Sequence, residues 1–207
     1  MPMETAALVK FSTRLLLVWL ALSVSAFIFR QPLGEFLLPF VDFGMREWSR
    51  DFAPGLALAV KDGDYLISVS AWVLRPIPVV AGYTVNPGAQ MTAGTHLTHT
   101  LVPPVITLSL VLAWPGTTWA QRGIAAIGGI VLSLLLVTVT VPLLLLGNLE
   151  MMFQNMAEQA GRVRPVPFSL DVMLFLEGGG RWLLAVLAGL LSVRAGQLLG
   201  GRWQVNS

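Results

Sequence analysis

Four long apolar stretches alternate with polar segments along this chain, and nearly all charged residues lie between the stretches. They cover residues 15–29, 97–114, 123–146 and 182–199. The hydrocarbon core of a bilayer is about 30 Å thick, so a helix needs about 20 apolar residues to cross it. The pattern therefore predicts an α-helical membrane protein with four transmembrane helices.

The segment between the first two stretches has a different pattern. Residues 33–52 carry apolar side chains at helical spacing on one side, which predicts an amphipathic helix that lies in the membrane interface or packs on its own domain. Residues 56–61 and 65–73 alternate as strands do, and Asp62-Gly63-Asp64 between them is a turn signal. The segment is therefore predicted to be a small α+β insertion, with a third short strand near residues 79–85.

These patterns divide the chain into three regions. Residues 1–30 hold the N-terminus and the first transmembrane helix, and residues 31–95 form the extracytoplasmic insertion of one amphipathic helix and a small β-sheet. Residues 96–207 form a three-helix transmembrane region with an outer loop at 147–180. Near its end, Gly196 and Gly200 have the spacing of small residues that lets helices approach closely, either within the bundle or at a partner.

The orientation in the membrane follows from the basic residues, which are retained on the cytoplasmic side. With the N-terminus inside, that side holds the acidic residue Glu4 and five basic ones: Lys10, Arg14, Arg122, Arg194 and Arg202. The other side has more basic residues, but most of them lie in the long insertion, and long segments are translocated regardless of charge. Both termini are therefore predicted to be cytoplasmic.

Val24-Ser25-Ala26 resembles a signal-peptidase site, yet the apolar run continues to Phe29, which favours an uncleaved anchor.

Composition agrees with a membrane protein and excludes several kinds of chemistry. Of the 207 residues, 55% are hydrophobic and 12% are charged, whereas soluble domains carry about 25% charged residues. The chain has no cysteine, which excludes disulfides, thiolate metal sites and a cysteine nucleophile. The net charge is +2 without a run of Lys or Arg, so nucleic acid is not an expected partner. No nucleotide-binding glycine motif is present, and no cofactor is expected.

The two histidines of the chain form the one candidate polar site at the membrane edge. His96 and His99 are three residues apart, so both can face the same side of a helix. A metal or catalytic site would need carboxylates brought to them from Asp62, Asp64, Glu150 or Glu177. Because a third imidazole and an H-E-x-x-H motif are both missing, a polar helix end wetted by lipid headgroups is the favoured interpretation.

Protein recognition is the function that the rest of the sequence favours. The second and third apolar stretches carry no acidic residue at their middle, where transporters and proton pumps usually place one. Aromatic side chains are enriched in the cores of protein interfaces, and the insertion offers four of them as candidate partner contacts: Trp48, Tyr65, Trp72 and Tyr83. The alternative for each is an ordinary place in the core or in the membrane-interface belt.

One family shares this arrangement. A first span, a small α+β segment, the residues Tyr-Thr-Val-Asn-Pro at 83–87 before a second span, and a third span ending in Gly-Asn-Leu-Glu-Met-Met-Phe-Gln at 147–154 resemble the small membrane proteins associated with exosortases. Exosortases are bacterial membrane transpeptidase-like enzymes that process sorting-tailed proteins, with a cysteine nucleophile, an arginine and a histidine. Since this chain has no cysteine, the resemblance implies a non-catalytic companion in the bacterial inner membrane.

The sequence therefore predicts an integral membrane accessory or scaffold protein that contacts lipids and partners an exosortase-type sorting system. One alternative is a membrane subunit of a pilus or of a conjugative secretion apparatus. Another is a membrane enzyme that uses His96 and His99, although an enzyme is the less expected of the outcomes.

Overall fold

A computed structural model describes the backbone of residues 2–115 and 117–203 and the side chains of residues 5–115 and 117–200. The side chains of Glu4 and Arg202, and the C-terminal residues expected in the cytoplasm, lie outside these ranges. In chain order the elements are α1 (Pro2–Ile28), α2 (Arg30–Trp48), β1 (Phe52–Lys61), β2 (Asp64–Val73), β3 (Ile77–Val80), β4 (Tyr83–Val85), β5 (Gln90–His96), α3 (Leu97–Ala113), α4 (Trp119–Gln159), α5 (Phe168–Phe175) and α6 (Arg181–Trp203).

The chain divides into two compact units. The helical unit comprises Met1–Phe29, Leu101–Leu136 and Arg181–Ser207, and the sheet unit comprises Arg30–Thr100 and Val137–Gly180. The sheet unit thus joins the predicted insertion to the whole of the predicted outer loop, which the sequence pattern treats as separate regions.

Among the described residues, three helices are long and apolar enough to cross a membrane. They are Thr5–Ile28, Trp119–Gln159 and Phe168–Gly200. The last of them joins α5 to α6 through Leu176–Gly180, where Gly179 makes a kink with a non-helical φ of 113°. The helix α3 is also apolar but has only 17 residues, which gives it a length of about 25 Å. The chain therefore has the helices of a membrane protein together with a small sheet, as the sequence predicts.

Small residues let α4 and α6 pack closely in the helical unit. A Cβ atom added at Gly196 would meet the backbone of Gln121 and the side chain of Ala125, and one added at Gly200 would again meet Gln121. The hydroxyl of Thr107 in α3 also donates a hydrogen bond of 2.9 Å to the carbonyl of Ala185 in α6. The Gly196–Gly200 spacing is therefore used for packing inside this unit.

The first helix makes few contacts. No residue of Thr5–Ile28 is buried inside the protein. In its N-terminal half, the guanidinium of Arg14 donates a hydrogen bond of 2.8 Å to the carbonyl of Leu112, and the rings of Phe11 and Trp114 meet edge to face at 5.8 Å. Carbonyls in the last turn of a helix lack intrahelical partners, so Arg14 satisfies one of them at the end of α3.

The main sheet is antiparallel and has the strand order β1-β2-β5. Along β2 the side chains of Ile67, Val69, Ala71 and Val73 are buried, as the alternation in the sequence predicts. The turn between β1 and β2 places Asp62 at φ 54° and Gly63 at φ 83°. Positive φ at both central residues is typical of the tight two-residue hairpin turn, which confirms the predicted turn.

The third strand of this sheet is not the predicted one. β5 pairs with β2, with Met91 opposite Ala71 and Thr95 opposite Ile67. The segment near residues 79–85 instead forms a separate two-stranded ladder, β3 with β4. The sequence pattern does not predict β5, because the outward side chains of this strand are polar. Its inward side chains, Met91, Ala93 and Thr95, are only weakly apolar.

One face of the sheet is covered by α2, which packs on β1 and β2. Gly34, Leu37, Val41, Gly44 and Met45 form the buried side of this helix. A Cβ atom at Gly44 would meet the carbonyl oxygen of Thr138 and the ring of Pro142 in α4. The core of the sheet unit therefore lies among the sheet, α2 and the second half of α4.

The helix α4 continues well beyond the predicted end of the third span. It runs through Pro142 and Gly147 to Gln159, so the predicted outer loop begins only there. Leu149 and Phe153 are fully buried, and Phe153 stacks on Phe52 of β1 with ring centroids 6.3 Å apart. Tertiary packing of this face keeps residues 147–159 helical.

Candidate functional site

A cluster of polar side chains lies at the end of the sheet where the chain enters from α1 and leaves into α3. Arg30 Nη1 is 3.7 Å from Asp64 Oδ1, and His96 Nδ1 is 4.0 Å from Asp64 Oδ2. The His96 and His99 rings are tilted against each other with centroids 5.5 Å apart. We call Arg30, Asp64, His96 and His99 the polar edge. The Arg30–Asp64 ion pair is partly exposed, so solvent screening leaves it little effect on stability.

The two histidine rings lie side by side, but not on one helix as the spacing predicts, because His96 ends β5 and only His99 lies in α3. Asp64 is the carboxylate beside His96. Among the described residues, no group of three His, Asp or Glu side chains is placed to hold a metal ion. What the polar edge does provide is a cation, a carboxylate and two imidazoles within reach of one another. Such a set can bind a polar headgroup or exchange protons with one.

Tyr65 supports this edge from inside the sheet unit. Its hydroxyl donates a hydrogen bond of 3.0 Å to Gln31 Oε1, and Gln31 Nε2 in turn donates one of 3.0 Å to Glu35. The Arg30 guanidinium lies 5.0 Å from the centre of the Tyr65 ring, within the range of a cation–π contact. Tyr65 therefore connects β2 to the start of α2 and is less accessible than the other three aromatic candidates.

Those three candidates are exposed. Trp48 is 48% exposed, Trp72 is 47% exposed and Tyr83 is 49% exposed. Trp72 pairs in register with Ala53, and the amide of Leu74 donates a hydrogen bond of 2.8 Å to the Asp51 carbonyl. Trp72 and Leu74 thus lie at the end of the sheet opposite the polar edge. Trp48 is the last residue of α2, four residues before β1 begins at that end, and we call these three residues the aromatic end.

The face of the sheet that points away from α2 is lined by small side chains. Its exposed positions are Gly55 and Ala57 on β1, Thr92 and Gly94 on β5, and the partly exposed Ser68 and Ser70 on β2. Trp72 lies on the same face at its edge. The result is a flat surface bordered by one large aromatic side chain.

Arg164 was not singled out from the sequence, yet it contacts three residues that are far from it in the chain. Its Nη1 donates a hydrogen bond of 2.7 Å to the Pro78 carbonyl, and its Nη2 donates one of 3.1 Å to Glu150 Oε2. Its guanidinium also lies 5.1 Å from the centre of the Phe153 ring. Arg164 therefore connects the 160–167 loop to α4 and to β3. Contacts between residues so far apart in the chain are not predicted by any spacing in the sequence.

The Glu150 carboxyl lies beyond the apolar stretch that ends at residue 146. Burial raises its pKa above the ordinary value, and the Arg164 guanidinium opposes this shift.

Two neighbours of Glu150 donate side-chain hydrogen bonds to residues outside α4. Asn148 Nδ2 donates to the Gly94 carbonyl at 3.4 Å, and Gln154 Nε2 donates to the Pro165 carbonyl at 3.0 Å. The segment 147–154 therefore joins α4 to the sheet and to the loop that follows.

Comparisons with known protein families, with curated proteins and with solved structures find no match to this chain.

The two ends of the sheet thus offer different chemistry. The polar edge adjoins the residues at which the chain leaves α1 and enters α3, and it suits polar groups at a membrane surface. The aromatic end has large apolar side chains that the unit itself leaves uncovered.

Proposed function

We propose that this chain is a non-catalytic scaffold of the bacterial inner membrane that presents the sheet unit to a protein partner. Exposure of Trp48 and Trp72 at one end of a sheet with a closed core is the observation that carries the proposal. Buried Trp and Tyr side chains contribute much of the binding energy in protein interfaces. Covering these side chains with a partner would remove their apolar surface from water.

The proposal includes a topology. Four transmembrane helices, with α3 as the short one, would leave both termini in the cytoplasm and the sheet β1-β2-β5 outside. Three of the helices have the length and hydropathy that this arrangement needs, and Arg14 and Arg122 lie on its cytoplasmic side, as basic residues prefer.

The proposed partner is an exosortase-type sorting enzyme. The support is the resemblance of residues 83–87 and 147–154 to the proteins associated with such enzymes. In this chain the second of these segments joins α4 to the sheet through Asn148 and to the 160–167 loop through Glu150 and Gln154. These bonds lie within the sheet unit and would keep its elements together when a partner binds, as a scaffold requires.

Co-purification from mild detergent tests the partner. We expect the wild-type chain to retain a sorting enzyme and the double variant Trp48→Ala/Trp72→Ala to lose it. Trp119→Ala is the matched control because Trp119 is 85% exposed in α4, within the helical unit. Recovery of pilus or conjugative secretion components without a sorting enzyme would support that alternative instead. Equal retention by the double variant and the control would contradict docking at the aromatic end.

A second candidate function is a membrane enzyme that acts at the polar edge. The contact of 4.0 Å between His96 and Asp64 favours it, since a carboxylate beside an imidazole orients the ring for proton transfer. The double variant His96→Ala/His99→Ala tests this function, with Gln90→Ala as a control on the same strand. If the process that depends on the protein continues in the histidine variant, the enzyme hypothesis fails.

A further inference from the structure

The helix α2 has an exposed apolar side that the packing of the sheet unit does not use. Phe36 is 55% exposed and Phe43 is 62% exposed, and Phe40 lies between them with its ring 5.5 Å from that of Phe36. Positions 36, 40 and 43 fall on one side of a helix, because residues three and four apart are neighbours on its surface. We call these three residues the phenylalanine stripe.

The other two sides of α2 are accounted for. The buried side, with Val41 and Met45, packs inside the sheet unit. The polar side carries Glu35, Asp42 and Arg46 and borders a groove beside β1, in which Arg46 Nε bonds to Asp42 Oδ2 at 2.8 Å. The phenylalanine stripe therefore belongs to an amphipathic helix with an aqueous side and an apolar side.

The contact with α4 shows where α2 lies along the apolar stretch 123–146. Gly44, next to Phe43, lies against the backbone carbonyl of Thr138 and the ring of Pro142. Both α4 residues are inside the apolar stretch 123–146, and Thr138 precedes its end by eight residues. At a rise of about 1.5 Å per residue, this contact lies about 12 Å inside the apolar stretch.

We infer that α2 is embedded in the outer leaflet of the bilayer, with the phenylalanine stripe in contact with lipid acyl chains. This rests on the proposed function in one respect, the passage of residues 123–146 through the membrane. Only Phe29 separates α2 from α1 along the chain, so α2 also begins where a proposed span ends. Phenyl side chains without polar atoms fit the acyl region, and the polar side of α2 stays with the groove beside β1.

Spin labelling tests the inference without background, because the chain has no cysteine. Labels are placed singly through Phe36→Cys, Phe43→Cys, Glu35→Cys and Leu135→Cys in the full chain, reconstituted in phosphatidylcholine–phosphatidylglycerol vesicles. Collisions with oxygen report lipid exposure, and collisions with a water-soluble nickel chelate report aqueous exposure. We expect the oxygen-to-nickel ratio at positions 36 and 43 to be several-fold above that at position 35 and similar to that at position 135.

The label at position 135 distinguishes a failure of the proposed topology from a failure of the lipid contact alone. Leu135 is an exposed residue of the proposed third span, so a nickel-accessible label there would contradict the span and with it the proposed topology. Oxygen access at 135 together with nickel access at 36 and 43 would overturn the lipid contact alone. Labels at 36 and 43 that neither reagent reaches would show that protein covers the stripe, which also overturns it.

Discussion

At the scale of single residues, the sheet unit depends on a few close contacts. Gly44 fits against Thr138 and Pro142 only because it has no side chain, and Gly147 is covered in the same way by the side chain of Met173. Arg164 holds three neighbours at once: Pro78, Glu150 and Phe153. These contacts join residues far apart in the chain, so the sequence pattern does not reveal them.

Replacing Gly44 by alanine tests the contact between α2 and α4. The added Cβ would collide with a backbone carbonyl that cannot move aside, and such overpacking costs about 1–3 kcal/mol of stability. Gly123→Ala is the matched helical control, since no atom lies within 4 Å of the position of its Cβ. We expect a lower thermal midpoint in detergent for the first variant and an unchanged or higher one for the control. Equal midpoints would contradict the packing.

Replacing Arg164 by alanine tests the buried ion pair. Its partner Glu150 keeps 18% side-chain exposure. The loss in free energy of unfolding is therefore about 2 kcal/mol, which is below that for a fully buried pair. Glu150→Gln should cost less, because the amide oxygen still accepts a hydrogen bond from Arg164.

The loss caused by Arg164→Ala should depend on pH. A carboxyl whose pKa is raised in the folded state binds its proton more tightly there, so its stabilising protonation is present at acid pH and is lost as pH rises through the raised pKa. Without the opposing guanidinium, the pKa of Glu150 rises further. Thermal unfolding should therefore show a larger deficit at neutral pH than at acid pH, and a deficit independent of pH would contradict this account.

At the scale of elements, the sequence predicts best where the period is strong and local. The amphipathic helix at 33–52, the strands around Asp62-Gly63 and the apolar helices all appear in the structure, with altered ends. The strand β5 and the extension of α4 beyond residue 146 do not follow from the pattern. Both are stabilised by distant partners, β5 by pairing with β2 and the α4 extension by the contact of Phe153 with Phe52.

Hydrogen exchange tests the extension of α4. Residues 148–157 are helical and include the buried Leu149 and Phe153, whereas residues 162–167 lie in the loop between α4 and α5. Exchange of the detergent-solubilised protein should be slow in the first segment and fast in the second. Fast exchange in both would restore the outer loop that the sequence pattern places at 147–180.

The candidate site shows the same division between local and distant information. The His96–His99 pair is readable from a spacing of three residues. Asp64 joins it through the pairing of β2 with β5, and Arg30 through the packing of α2 on the sheet. Of the four aromatic candidates, Tyr65 is held by Gln31 and Arg30. Which aromatic side chains stay exposed is decided by tertiary packing, and for that reason the sequence offers all four equally.

The whole molecule, as proposed, combines a membrane topology with a docking surface. Reporter fusions test the topology: an enzyme fused after Gly94 should be translocated, and one fused after Ala120 should be cytoplasmic. Long segments cross the membrane regardless of their charge, whereas the short loop with Arg122 is retained inside. The reverse pattern would invert the orientation and place the sheet unit in the cytoplasm.

The most direct test of the scaffold function is photo-cross-linking in living cells from the aromatic end. A photoreactive phenylalanine replaces Trp72, and the control replaces Lys61, which is exposed at the far end of the same sheet. The account predicts an adduct with an exosortase-type sorting enzyme from position 72 and none from position 61. No adduct from position 72, or the same adduct from both positions, would contradict it.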